Sequence, residues 1–348
     1  MKFKKNFKIK NIPVTENRIF IIAEIACGHG GYFKKAKKLI DVAVDAKADA
    51  VQFEIFDPDT CCIPGTEENL ELHDANFSKN EWIWLLNYAK KKNIIRSVFA
   101  YDLKSLNFAI NQKVEMIKFN SSDLLNIDML NRVAKTNIPI TLGTGSSSIQ
   151  EINSSLKYLY KRNKKIKLIL MHGVQNFPTS PKNERVQKLD VLKKKFNCNI
   201  GYANHTEGDN IASSFVDLIA VGKNVSVLEK HITINRKLKE YDYFSSLEPN
   251  EFKQYVKNIR FAEIVNSNKK GFDFTPSDKI YRIFQKKSIV ASRNIKKGEK
   301  LTKKNLIFIR NMKIEGISPI NFIKIKGKTA KLNIKQYDVI KSKHFADV

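Results

Sequence analysis

The sequence predicts an α/β chain, a (β/α)8 TIM barrel followed by a small β-rich domain. Three observations predict it. Eight short, β-prone apolar runs alternate with Lys-rich stretches of helical period. Polar, chemically capable side chains gather at the C-terminal ends of those runs, where barrels of this kind keep their reactive groups. Beyond about residue 265 the alternation stops and shorter apolar runs separated by turn signals replace it.

The strand-like runs lie at 19–25, 50–55, 95–100, 115–119, 138–142, 166–172, 199–203 and 225–231. Helical stretches follow them at 33–46, 79–92, 103–111, 129–136, 148–162, 184–196, 210–221 and 250–265. In the first, FKKAKKLIDVAVDA, residues Ala36, Leu39, Ile40 and Ala43 share one face. A doubly wound open sheet is the competing arrangement, but it seldom needs eight such units in one run. The expected organisation is a catalytic barrel over 1–265, a polar Gly- and Pro-containing linker over 266–286, and the small domain over 287–348.

Composition is that of an ordinary globular protein, with 42% hydrophobic and 28% charged residues. No apolar run reaches the roughly 18 residues a membrane helix requires, and the charged N-terminus lacks the apolar core of a secretory signal. Lys plus Arg number 62 against 35 acids, a formal charge of +27. The lysines are scattered through every segment (Lys34-Lys35, Lys164-Lys165, Lys303-Lys304), which argues for solvated faces over a nucleic-acid site. The 4 Cys form no C-x-x-C pair or disulfide framework, so a reducing cytoplasm is expected.

The run ends collect Glu24, Gln52, Glu54, Tyr101, Lys118, Ser121, Asp123, His172, Gln175, His205, Glu229, Lys230 and His231. Lys118, inside the apolar MIKFN, is costly to bury without an anion nearby. His205 and His231 at neighbouring strand ends could share a divalent metal, or could be hydrogen-bonded structural residues. Glu24 could be a catalytic carboxylate or cap a loop. Ser121-Ser122 could cap a helix or bind phosphate. GTGSSS fits neither standard phosphate-loop spacing, and no Ser–His–Asp or Cys–His nucleophile set stands out.

Taken in order, IIAEIACGHGG, YDLKSLNF, MIKFNSSDL, PITLGTGSSSIQEI, MHGVQNFPT, GYANHTEG and LEKHIT resemble the units of the sialic acid (nonulosonate) synthase family. SIVASRNIKKGEKLTKKNL, with GISP after it, is similar to that family's C-terminal antifreeze-like (SAF) domain. The resemblance implies a metal-assisted condensation of phosphoenolpyruvate with an N-acylated hexosamine. It releases phosphate and serves surface carbohydrate biosynthesis. It implies Glu24 as the catalytic carboxylate and a divalent metal, usually Mn2+, on His205 and His231. Lys118, Ser121, Gln52 and Gln175 would face phosphoenolpyruvate. Glu54, Asp123, Phe177 and Asp242 would face the sugar, with Arg310 brought in by the partner of a domain-swapped homodimer. No nucleic acid or membrane partner is implied.

The departures from the family pattern are specific. Its Lys-x-Gln at the second strand is Gln52-Phe53-Glu54, its Ser-Thr-Pro-Phe is Val98-Phe99-Ala100-Tyr101, and its fifth-strand Ser is Gly143. A cation and several hydroxyls expected around phosphoenolpyruvate are therefore missing. This leaves two alternatives: a divergent barrel enzyme with the same metal and sugar site but another donor, and a non-catalytic sugar-binding homologue.

Overall fold

The computed structural model describes residues 1–209, 212–266, 273–312 and 316–345. It divides into two compact units, Met1–Asn268 and Lys269–Val348.

The first unit opens with a short antiparallel hairpin, β1 (Phe7–Ile9) and β2 (Ile12–Val14). Eight parallel strands follow: β3 (Phe20–Glu24), β4 (Ala50–Ile55), β5 (Ile95–Ala100), β6 (Met116–Phe119), β7 (Ile140–Gly143), β8 (Leu168–His172), β9 (Asn199–Asn204) and β10 (Val227–His231). They pair in sequence order, and β10 closes onto β3, so the barrel is complete. Every predicted run contains its strand to within a residue or two at each end.

Period-2 alternation within these strands builds two cores. Ile21, Ala23, Val51, Phe53, Val98, Ile117, Leu142, Leu170 and Leu228 point outward and meet the helices. Phe20, Ile22, Ala50, Ile95, Met116, Ile169, Met171 and Val227 point inward and fill the lower barrel, where Phe7, Ile9 and Val14 of the hairpin join them. The inward set continues upward through Glu24, Gln52, Glu54, Ser97, Lys118, Glu229 and His231. The strands that pack the barrel therefore also aim its polar groups.

Helix ends are set locally. Ser78 and Glu81 form a capping box at Lys79–Lys91, as do Ser148 and Glu151 at Ile149–Arg162. Asp102 caps Leu103–Asn111 by accepting from Ser105 N. The helix expected at 184–196 shrinks to Lys188–Lys195, because Arg185 adopts a left-handed φ of +50° and Glu184 is drawn inward to Tyr202. Of the helix expected at 210–221, Ala212–Gly222 is helical, and residues 210 and 211 lie outside the described residues.

The sequence pattern missed the N-terminal hairpin and several helices. The hairpin strands are three residues each, too short to show a period. Helices Pro58–Cys61 and Glu67–Ala75 bury few side chains, so no apolar stripe marks them. Helix Pro276–Phe284 lies within the stretch read as a linker, started by a Thr275–Asp278 capping box.

In the second unit β11 (Lys287–Ala291) pairs antiparallel with β12 (Leu306–Arg310). Isolated bridges Val290↔Val339, Ile295↔Ile334 and Lys300↔Thr329 extend the pairing. Ile289, Ile295, Leu301, Leu306, Ile325, Ile334 and Ile340 form its own core. Among the described residues no helix is long and apolar enough to cross a membrane.

Candidate active site

A cavity of about 180 Å³ opens at the C-terminal ends of the barrel strands. Glu54, Phe99, Tyr101, Lys118, Gln175, Phe177, His205, Glu229, His231 and Asp242 line it. At its floor the Lys118 ammonium donates to Glu229 at 2.6 Å and to Glu24 at 3.2 Å. Beneath it, Gln52 donates its amide to Glu24 and, at 3.0 Å, to Glu229. The Gln52 oxygen accepts from Ser97 Oγ at 2.8 Å. Gln52 is thus consumed by its protein partners and supports the floor from below.

Glu24, Gln52 and Glu229 have at most 1% of their surface exposed. Burial pushes the Glu24 carboxyl up to about 7; Lys118 opposes the rise and Glu229 adds to it. Burial works against the Lys118 charge too, but Glu229, Glu24 and Glu54 outweigh it and raise its pKa. Burial and the negative charges of Glu24 and Asp242 hold Glu54 well above the usual carboxylate range. Asp242 rises to about 6, again through burial, with Lys118 opposing. It sits at φ +59°, a left-handed position that Asp tolerates.

His205 and His231 face each other across the rim, their ring centroids 5.4 Å apart, with Phe177 packed 4.4 Å from His205. His205 Nδ1 is 2.8 Å from the Val174 carbonyl, which assigns its proton there and leaves Nε2 with a lone pair. Burial drives its pKa down to about 4, and drives that of His231 well below the normal value. His231 Nδ1 is buried without a hydrogen-bond partner, 3.8 Å from Asp242. Two neutral imidazoles, one with an orphaned nitrogen, suit a divalent cation. Among the described residues, no three His, Cys, Asp or Glu side chains are placed to hold a metal by themselves.

The other sequence-predicted residues lie apart. Ser121 lines an adjoining groove with Ser122, Ser146, Ser147 and Gln175. Its backbone packs against Gly143 at the cavity edge, where a Cβ on Gly143 would stand 2.7 Å from Ser121 N. Asp123 accepts from Asn126 at 2.9 Å and stays outside the cavity lining. Arg310 is exposed on β12 of the second unit.

Three polar residues in or after the strands point the other way. Lys230 is fully buried behind the wall, donating to Ser213 Oγ at 2.5 Å, with Asp217 4.0 Å away. His172 faces the Glu184 carbonyl, and His29 packs on Phe77. Their odd place in the strand alternation, or their position in the following loop, turns them away. Glu229, by contrast, holds the floor together, and its parity with His231 in LEKHIT is the signal that marks it.

Comparison with known proteins agrees with this architecture. Residues 39–271 match the NeuB family model and residues 286–346 the SAF domain model. The chain belongs to the NeuB family. It is 30% identical to the N,N'-diacetyllegionaminic acid synthase of Campylobacter jejuni, over 93% of this chain and 99% of that one. The pseudaminic acid synthase of the same organism is 25% identical over 95% and 98%. A crystal structure of N-acetylneuraminic acid synthetase from Leptospira borgpetersenii superposes with a TM-score of 0.73 at 29% identity, covering 79% of this chain and 94% of that one. This NeuB-family chain therefore stands among nonulosonic acid synthases, and its two units correspond to the two matched models.

Proposed function

We propose that the protein is a nonulosonate synthase that condenses phosphoenolpyruvate with an open-chain N-acylated hexosamine and releases phosphate. The observation that carries this reading is the floor of the cavity, where Lys118 sits between Glu24 and Glu229 below a pair of neutral imidazoles. In the reaction, C3 of the enolpyruvate forms a bond to the sugar aldehyde carbon. Water adds at C2, and phosphate leaves by C–O cleavage.

Lys118 supplies the positive charge for the donor's anion. Glu24, poised near neutrality but buried beneath the cavity lining, would take the proton of an attacking water that reaches the floor, while Gln52 and Ala26 N hold its orientation. Glu54, Asp242 and Phe177 line the side assigned to the sugar. His205 and His231 would hold the divalent metal, which we assign as Mn2+; bound there, it supplies Lewis acidity to a carbonyl oxygen. Two protein ligands would leave room for substrate and water beside it. Arg310 would act from a second copy of the chain in a swapped homodimer. The free thiols of Cys27, Cys61, Cys62 and Cys198 suit a cytoplasmic setting, and the product class suits surface carbohydrate biosynthesis.

A second reading, the same metal and sugar site with a donor other than phosphoenolpyruvate, has one observation in its favour. Lys118 is the one Lys or Arg among the described cavity-lining residues, against Glu54, Glu229 and Asp242 in the lining and Glu24 below. The deciding assay supplies phosphoenolpyruvate, Mn2+ and a panel of N-acylated hexosamines. Phosphate release with an acceptor supports the first reading; none with any acceptor, from folded protein, sinks it.

A further inference from the structure

We infer that Glu54 is held as a neutral carboxylic acid, so that it donates a hydrogen bond into the cavity where a carboxylate would repel an anionic donor. The inference rests on the synthase reading and departs from it at one residue: Glu54, assigned there to the sugar, lines the same cavity as Lys118 and becomes a determinant of donor binding.

The argument begins with a charge count. Three carboxyl groups, Glu54, Glu229 and Asp242, line one cavity with a fourth, Glu24, beneath it, and among the described lining residues there is a single ammonium, Lys118. That ammonium is engaged by Glu229 and Glu24. Among the described residues no Lys, Arg or His lies within ion-pair distance of Glu54. Its Oε2 instead meets two neutral groups, the Tyr101 hydroxyl at 3.1 Å and the Cys27 thiol at 3.7 Å.

The surroundings are apolar as well. Tyr101 stacks on Phe99 with centroids 4.0 Å apart and meets Phe56 edge-on at 5.5 Å, which fixes an aromatic wall beside the carboxyl. Glu54 itself is 7% exposed. A carboxyl against an aromatic wall, near other carboxylates and without its own cation, is stable when protonated. The charged or titratable groups facing it are Glu24 and Cys27 from β3 and the loop after it, Tyr101 after β5, Lys118 on β6, and Asp242 beyond β10. Burial raises its pKa most, Glu24 and Asp242 add to the rise, and Lys118 and the Tyr101 hydrogen bond oppose it without cancelling it.

With Oε2 accepting from Tyr101 and Cys27, the acid proton belongs on the other oxygen, Oε1, of a residue that lines the cavity. Glu54 and Lys118 can then both donate to one anion. On ionisation the donor is lost and a negative charge takes its place, so affinity for an anionic substrate falls as pH rises.

Two measurements on the full chain test this. The infrared difference between the parent and Glu54→Gln, near neutral pH, should contain the C=O stretch of a protonated carboxylic acid, and Tyr101→Phe should shift that band. A carboxylate pair in its place overturns the inference. Steady-state kinetics give the second test. The parent's KM for phosphoenolpyruvate should climb relative to that of Glu54→Gln, by about tenfold per pH unit above the Glu54 pKa. Glu54→Ala should raise KM across the whole range, with Gln recovering most of the loss. Parallel pH profiles in the parent and Glu54→Gln overturn the inference. If the parent turns over no phosphoenolpyruvate with any acceptor, the synthase reading fails, and the infrared band alone still decides where the proton is.

Discussion

Replacing Lys118 by Met tests the floor of the cavity most directly. Met keeps the length and apolar bulk of the stem and removes the ammonium. In the parent that ammonium lies 2.6 Å from Glu229 and 3.2 Å from Glu24, both almost wholly buried. Breaking a buried pair from one side leaves uncompensated charge and costs about 3–5 kcal/mol. At about 2–4 °C per kcal/mol, the barrel's Tm should drop by roughly 6–20 °C near neutral pH.

The loss should depend on pH with a definite sign. Glu24 is raised by burial to about 7 even with Lys118 opposing, and without Lys118 it must climb further. A carboxyl whose folded pKa exceeds its unfolded value keeps its proton in the native state, so its stability contribution is complete below the unfolded pKa. It is lost as pH rises through the folded pKa. The Tm gap between parent and variant should therefore be widest above neutrality and shrink by half or more towards about pH 5. Calorimetry across that range gives the answer. An unchanged gap at acid pH, or no loss at neutral pH, would falsify the assignment of Lys118 as the counter-charge. Adding Glu229→Gln to Lys118→Met should recover a large part of the loss, because the orphaned charge goes with it.

The proposed Mn2+ site predicts that the ion stabilises the parent by about 2.7 kcal/mol at a hundredfold excess over Kd and that His205→Ala loses this gain; an undiminished gain would place the ion elsewhere. Gly143→Ala should cost about 1–3 kcal/mol in denaturant unfolding, since its Cβ would meet Ser121 N at 2.7 Å. Asp217→Ala should destabilise by about 3–5 kcal/mol by orphaning Lys230, which is fully buried. Combining Asp217→Leu with Lys230→Met should restore most of that loss, and equal losses in single and double variants would contradict the pairing.

Alternation of runs such as 95–100 with stretches such as 103–111 was enough to establish the barrel, because strand and helix periods are written in local apolar spacing. The same alternation placed Glu24, Glu54, Lys118, His205 and His231 at strand ends. It also contained Glu229, whose step of two from His231 puts both inside the barrel. What local spacing could not carry was distance across the ring. That Lys118 spans Glu24 and Glu229, that Gln52 is spent beneath them, and that Ser121 opens onto a neighbouring groove depend on strands brought together by closure. Lys230 shows the limit most plainly. One position from Glu229 and from His231, it faces the opposite way, and its partners Ser213 and Asp217 come from the helix packed outside. Sequence determined the ring and which face each side chain takes; only the closed barrel decided which charges meet, since electrostatic contacts depend on separations in space.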